Sequence, residues 1–359
     1  MRTPSPGRLV RDRTLDVAKG AAMLSVVVYH SLLFAEALEI YSLPWAMAVG
    51  ALRLVPLPVF LVVAGLVARR TLADRGLLRR RLRQLAVVYL VATVGYVGLF
   101  SLVDFPRASE TGFGSLGGLL RELVLPEGYL WFLHALLLAL VVTALTRRLP
   151  AAVALGGTLL VSTAFSSGWV GTPSDRVDEA FAYLPAFVLG ARYPALVTAL
   201  TGSATTRGLR SARLGLAVGF VALTVANGLL LVLGPLGHLS DLERLPGLGV
   251  VMLALSAGAG LVAARGLRLG PLGRPLAWLG RSTLVVYLLH EVVLALVVVL
   301  ARPVLLAVPQ PWHPLVGPAL AVVGVLLPLG VLAVVRATRS RPPQARPGPS
   351  PATSSSRAR

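Results

Sequence analysis

The stretch LDVAKGAAMLSVVVYHSLLF, residues 15–34, decides the fold. It is a continuous apolar run about as long as the 20 residues a helix needs to cross a bilayer. Yet it holds Lys19, the single lysine of the chain, and His30. Ionisable groups inside a span are costly and mark function by default. Eleven residues at 100° each make three turns plus about 20°, so both side chains share one stripe of the helix, about 16 Å apart along its axis. Lys19 falls near the inner surface. His30 falls about 22 Å from Leu15, in the outer part of a hydrocarbon core about 30 Å thick. Two plain structural roles stand beside the functional one. A lysine near a helix end snorkels to the headgroups, and a histidine in a bundle bonds a neighbouring helix.

The rest of the chain repeats the pattern. Of 359 residues, 56% are hydrophobic and 14% charged, with a mean hydropathy of +0.79. Repeated runs of this length exclude a soluble domain, and their continuity excludes the alternating strands of a barrel. Ten spans are expected, near 15–36, 45–68, 84–103, 129–146, 150–167, 180–200, 213–234, 246–264, 278–300 and 314–336. With a cytoplasmic N-terminus, only Arg53, Arg107, Arg121, Arg176, Arg244 and Arg302 fall outside, Lys19 lies in the first span, and the other 27 basic residues are inside. Of the 15 acidic residues, 11 lie outside. The positive-inside rule thus gives an all-α polytopic membrane protein of about ten transmembrane helices with both termini cytoplasmic. Residues 1–14 read as a cytoplasmic segment, 15–336 as the membrane domain and 337–359 as a disordered cytoplasmic tail rich in Pro, Ser and Arg. Within the outer loop 104–128, LGGLLRELVLPEG is expected as a short helix on the membrane surface.

The net charge of +19 is spread over loops, which argues against a nucleic-acid partner and for topology signals facing the lipid bilayer. That 33 of the 34 basic residues are arginine points to codon bias. The absence of cysteine excludes disulfides, thiolate metal sites and Cys nucleophiles. No metal site, cleavable signal peptide, appended soluble domain or internal repeat is expected.

Other polar groups in the spans are few. His290 and Glu291 lie mid-membrane in TLVVYLLHEVVLALVVV; adjacent residues point about 100° apart and need not share a partner. A carboxyl at that depth is neutral, paired or water-lined. His134 follows Trp131 and Phe132, which suit an interfacial aromatic belt. Asp16 sits at the inner edge of the first span. Residues 69–83 hold seven arginines. They serve as an orientation signal against anionic lipid or, through bidentate pairing, as a polyphosphate site.

Together these pieces resemble the integral-membrane acyltransferase-3 family, which acylates sugars of envelope glycans, lipids and natural products. Asp16, Lys19, Gly20 and His30 match its first-helix pattern of acidic residue, basic residue, Gly and His. PLPVFLVVAGLVARR is similar to its second helix, with Phe60, Ala64 and Gly65 in register. Arg80 and Arg83 match an R-x-x-R entry to the third. YLWFLHALLL, FAYLPAFVLGARY and LGRSTLVVYLLHEVV resemble three later segments, in order, so the likeness spans roughly residues 13–300. There are departures: Ala64 replaces a frequent Ser, His134-Ala-Leu-Leu a Glu-rich continuation, and Glu291 the Pro that commonly follows the late His.

The resemblance implies a cytoplasmic acyl-CoA donor, most simply acetyl-CoA, with no bound cofactor, and a carbohydrate or glycolipid acceptor at the plasma membrane. The CoA diphosphate would meet Lys19, Arg79, Arg80 and Arg83. His30 would act as general base or transient acyl carrier, with Glu291 and Asp16 in orienting catalytic roles. His134, Trp131 and His290 would contact the acceptor. A proton-coupled transporter or flippase is the alternative from another class, and a non-catalytic membrane scaffold a third.

Overall fold

The computed structural model describes residues 13–40, 55–102, 116–128, 130–202, 206–233 and 245–339. Among them the protein is all-helical. The helices are α1 (Arg13–Glu36), α2 (Pro56–Ala73), α3 (Arg75–Leu102), α4 (Leu116–Val124), α5 (Trp131–Leu145), α6 (Ala151–Ser166), α7 (Asp175–Ala182), α8 (Leu184–Arg192), α9 (Pro194–Thr201), α10 (Arg207–Leu233), α11 (Leu248–Leu269), α12 (Gly273–Arg281), α13 (Thr283–Leu306) and α14 (His313–Arg339). Among the described residues, seven stretches are long and apolar enough to cross a membrane: α1, α2, α3, α5 with its 3-10 extension, α11, α13 and α14. An eighth arises if the bent segment α7 to α9 is one span. Residues 1–12 of the expected N-terminal segment and 340–359 of the expected tail lie outside the described residues, as do 45–54 and 104–115. Residues 337–339 continue α14.

Two breaks depart from the straight spans expected from the sequence, and a third falls where the sequence places it. The 180–200 stretch bends by 87° before Pro194. Proline cannot donate an N–H and forces the preceding residue out of the helical region, and Tyr193 sits at φ −123°, ψ 56°. The expected 278–300 span is interrupted at Ser282 (φ −113°, ψ 10°), which separates α12 from α13. Between α5 and α6 the chain turns through Thr146–Arg148 and restarts after Pro150. The carbonyls left over there are taken by Arg192, which donates to those of Arg147 and Leu149. Arg213 does the same for α9, donating to the carbonyls of Ala199 (2.5 Å) and Gly202 (2.9 Å).

Close packing rests on two glycine pairs. A Cβ on Gly20 would overlap the Leu276 carbonyl, and one on Gly280 the Asp16 carbonyl, so α1 and α12 cross backbone to backbone. Gly65 and Gly190 do the same for α2 and α8, against the carbonyls of Phe187 and Val62. Where lipid removes the hydrophobic drive between helices, such approaches and interhelical hydrogen bonds hold a bundle. One of those bonds, Tyr96 Oη to the Leu288 carbonyl (2.9 Å), joins α3 to α13. Elsewhere on α3, Val87, Val91 and Val94 are exposed, as a lipid-facing surface requires. On α4, Leu116, Leu120 and Val124 form an exposed apolar stripe at i, i+4, i+8 while Glu122 is buried. This is the face that an interfacial helix turns to lipid.

Candidate functional site

The stripe of α1 that carries Lys19 and His30 lines two cavities. Lys19 and Met23 face one of about 480 Å³. Val26, His30 and Leu33 face the other, of about 960 Å³. The spacing 19, 23, 26, 30, 33 alternates four and three residues, so a single face of one helix serves both. Three residues line both cavities: Phe60 of α2, Phe132 of α5 and Tyr287 of α13. Their rings form a chain, with centroids 5.7 Å apart from Phe60 to Phe132 and 5.8 Å from Phe132 to Tyr287. An aromatic partition thus separates the space at the lysine from the space at the histidine.

His30 is held by α13. Its Nδ1 is in close contact with the Glu291 carboxylate, which is 1% exposed. The neighbouring His290 has its Nδ1 against the carbonyls of Val286 (3.0 Å) and Tyr287 (2.9 Å), and its Nε2 3.8 Å from the Glu291 carboxylate. The two imidazoles meet edge to face at 5.3 Å. One ligating atom from each of His30, His290 and Glu291 lies within 4.8 Å of the others, a geometry that is also open to a metal ion. The direct His30–Glu291 contact is also an arrangement that can serve as a base and its orienting carboxylate. With Nδ1 engaged, Nε2 of His30 is the nitrogen left to exchange a proton with a molecule in the cavity.

The rim of the His30 cavity is polar. Arg176 bridges Glu179 (3.0 Å) and lies 5.6 Å over the ring of Trp131. Glu122 folds the loop after α4, accepting from the N–H groups of Glu127 (3.0 Å) and Gly128 (2.9 Å). Burial lifts its carboxyl above the usual carboxylate range, against the pull of those two N–H groups. Tyr89 of α3 donates to the Glu122 carbonyl (2.6 Å), and Ser174, which caps α7, donates to the Pro126 carbonyl (2.9 Å). These bonds fasten the loop beside the cavity mouth.

The structure brings together some of the residues singled out in the sequence and separates others. His30, Glu291 and His290 converge, and Trp131 lines the same cavity. Asp16 is elsewhere: it pairs with Lys19 at 3.1 Å, about 21 Å from His30 along the helix. Arg79, Arg80, Arg81 and Arg83 are all exposed, and of the four only Arg81 lines the Lys19 cavity. His134 lines neither cavity and sits 6.1 Å from the Tyr89 ring.

The sequence pattern assigns no individual role to Tyr287, Arg81, Arg176 or Glu122. Two of them do carry a signal. Tyr287 is four residues before Glu291 and shares its face. Arg81 is one turn before Leu85, the first of the buried positions Leu85, Tyr89, Thr93, Tyr96 and Phe100 on α3. Arg176 and Glu122 depend on loop geometry that no periodicity encodes.

No curated protein and no solved structure matches the chain. A family model described as an acyltransferase domain, the acyltransferase-3 model, matches residues 12–334. With that match over nearly its whole length and at least seven helices apolar enough to cross a bilayer, the chain belongs to the acyltransferase-3 family and is a multi-pass membrane acyltransferase.

Proposed function

We propose that this enzyme moves an acyl group, most simply acetyl, from cytoplasmic acyl-CoA to a hydroxyl of a carbohydrate or glycolipid acceptor at the plasma membrane. The observation that carries the reading is the pairing of cavities: a histidine held by a buried carboxylate on one side of an aromatic partition, and a cationic pocket on the other. Ten spans over residues 15–336 with both termini cytoplasmic put the Lys19 pocket on the inner side, since the basic loops gather there.

The donor's phosphates meet Lys19 and Arg81, with Arg79, Arg80 and Arg83 adding positive field from the surface of the same helix. Asp16 holds Lys19 in place. The apolar walls at Met23, Ala64 and Leu85 suit the donor's extended arm, which runs toward His30 over the roughly 16 Å that separate the two α1 residues. The acceptor enters the His30 cavity, where Trp131 offers an aromatic face and Arg176 and Glu179 offer hydrogen bonds to hydroxyls.

His30 Nε2 takes the acceptor's hydroxyl proton as the oxygen attacks the thioester carbon, and Glu291 stabilises the imidazolium that forms. A short-lived acyl-histidine is the variant route. The test uses membranes holding the wild-type protein or His30→Ala, given acetyl-CoA labelled in the acetyl group. Label entering a glycan or lipid fraction only with His30 present supports the reading. Equal transfer by His30→Ala overturns the mechanism.

A further inference from the structure

We propose that His30, His290 and Glu291 form a binding site for a divalent transition-metal ion of the zinc type, and that the bound ion switches acyl transfer off. The inhibitory half rests on His30 being the base, as proposed above; the site itself does not. The three residues converge from two helices, α1 and α13, with one ligating atom of each within 4.8 Å of the others. His290 is the informative one. It is 1% exposed, and its Nδ1 faces the carbonyls of Val286 and Tyr287. Carbonyls only accept, so Nδ1 carries the ring's proton and Nε2 carries a lone pair. Among the described residues that Nε2 has no hydrogen-bond partner, and it lies 3.8 Å from the Glu291 carboxylate. A buried lone pair left without a donor, on a ring whose far side is fixed by backbone carbonyls, is how proteins present a histidine to a metal.

The donor set names the class of ion. Two imidazoles and one carboxylate suit zinc and its neighbours among the first-row ions, whereas magnesium and calcium take oxygen ligands. Three such ligands with a fourth position open is an arrangement that holds zinc. Both histidines line the His30 cavity, so water has room at that position. Bonds of about 2.1 Å put tetrahedral donors about 3.4 Å apart. The 3.8 Å between His290 and Glu291 is near this, and the rest is within reach of rotation at His30, which is 25% exposed and the least confined of the three. Charge favours the ion as well, because a carboxylate buried in a span is stabilised by a cation beside it. Once the ion holds His30 Nδ1, the ring's one proton sits on Nε2. No lone pair is then left to take the acceptor's hydroxyl proton, and Glu291 engages the ion instead of the imidazole. The same three residues thus serve as base and carboxylate when metal-free and as a closed clamp when loaded.

The test uses purified full-length protein carrying no polyhistidine tag, titrated with Co²⁺ and then with Zn²⁺. Co²⁺ held by two imidazoles and a carboxylate gives visible d–d bands far stronger than those of the hydrated ion, and Zn²⁺ should displace it and abolish them. Loss of an outer-shell partner already costs about 10- to 100-fold in metal affinity, so His290→Ala, which removes a ligand, should cost at least that. His313→Ala, outside the cluster, should leave the bands unchanged. Should His290→Ala fail to fold, Glu291→Gln keeps the shape, removes the charge and should weaken binding in the same way. In the labelling assay, Zn²⁺ should inhibit the wild-type protein and a chelator should restore transfer. The transfer that His290→Ala retains should need at least about 10-fold more Zn²⁺ to be halved. No Co²⁺ bands, bands that survive these substitutions, or transfer that saturating Zn²⁺ leaves unchanged or raises overturns this inference and leaves the acyl-CoA reading standing. Bands that respond to His290→Ala in a wild-type background that does not transfer from acetyl-CoA overturn that reading and the inhibition with it, while the site stands.

Discussion

The two cavities differ in kind. The one at Lys19 is about half the volume of the one at His30. It is walled mostly by apolar side chains, aliphatic and aromatic, and its charges, Lys19 and Arg81, are both positive. The one at His30 carries acids and arginines together, with Trp131 and several tyrosines in its lining. A small apolar space with a cationic end selects an amphiphile bearing an anionic head. A roomier space with mixed polar groups selects a molecule rich in hydroxyls. The same stripe of α1 supplies a residue to each, so on the proposed reading donor and acceptor would be told apart by what surrounds that stripe rather than by two helices.

The sharpest way to break this division of labour is His30→Ala. It should lower transfer by about 10²- to 10⁴-fold while the affinity for acyl-CoA, read by equilibrium binding, stays near wild type. Loss of donor affinity in that variant would show that the two spaces are not independent. Next in size is the double change Lys19→Ala with Arg81→Ala. Each charge-assisted hydrogen bond is worth about 1.5–3 kcal/mol, so KM for acyl-CoA should rise by at least about 10-fold with kcat little altered. A fall in kcat alone would move these cations from binding to chemistry.

Glu122 tests the rim. Glu122→Ala strands the N–H groups of Glu127 and Gly128 and should cost the loop about 1–3 kcal/mol, read as faster backbone exchange across residues 122–128. Its raised pKa fixes the sign of the pH effect. The folded state holds the proton more tightly than the unfolded chain does, so the stability linked to this carboxyl is fully present below the ordinary carboxylate pKa and is lost as pH rises through the raised value. Glu122→Gln should remove that dependence. The smallest effect is expected from Arg79→Ala, within about 0.5 kcal/mol, as for other exposed substitutions. A larger rise in KM would extend the donor site along the outside of α3.

Much of the fold is legible in the sequence itself. Long apolar runs give helices, and the eleven-residue spacing of Lys19 and His30 puts both on one face because helical pitch is fixed. The matched glycines at 65 and 190 stand out as motif positions, but only packing shows that each makes room for the other helix's backbone. Other features need three dimensions. In the cluster at 79–83 four arginines are equally basic and all exposed, and the one that borders the Lys19 cavity, Arg81, lies on the face of Leu85 and Tyr89. Asp16 lies near Lys19 in the same motif that holds His30, yet an i, i+3 salt bridge assigns it to the lysine. Glu291 reads as a departure from the family pattern; its meaning appears only when α1 and α13 pack and it meets His30.

The glycine crossings also bear on time. Gly65 lies little more than one turn below Phe60, and its contact with α8 leaves no room for α2 to slide or roll. On α1, the contact of Gly20 with α12 pins the helix one residue from Lys19. With α2 held at Gly65, the Phe60 side of the partition opens by rotation of its ring rather than by movement of its helix. Rotamer changes are far faster than the microsecond-to-millisecond rocking of whole helices. On the proposed reading, the passage between donor and acceptor would on the Phe60 side be a flicker of one side chain against a fixed helix.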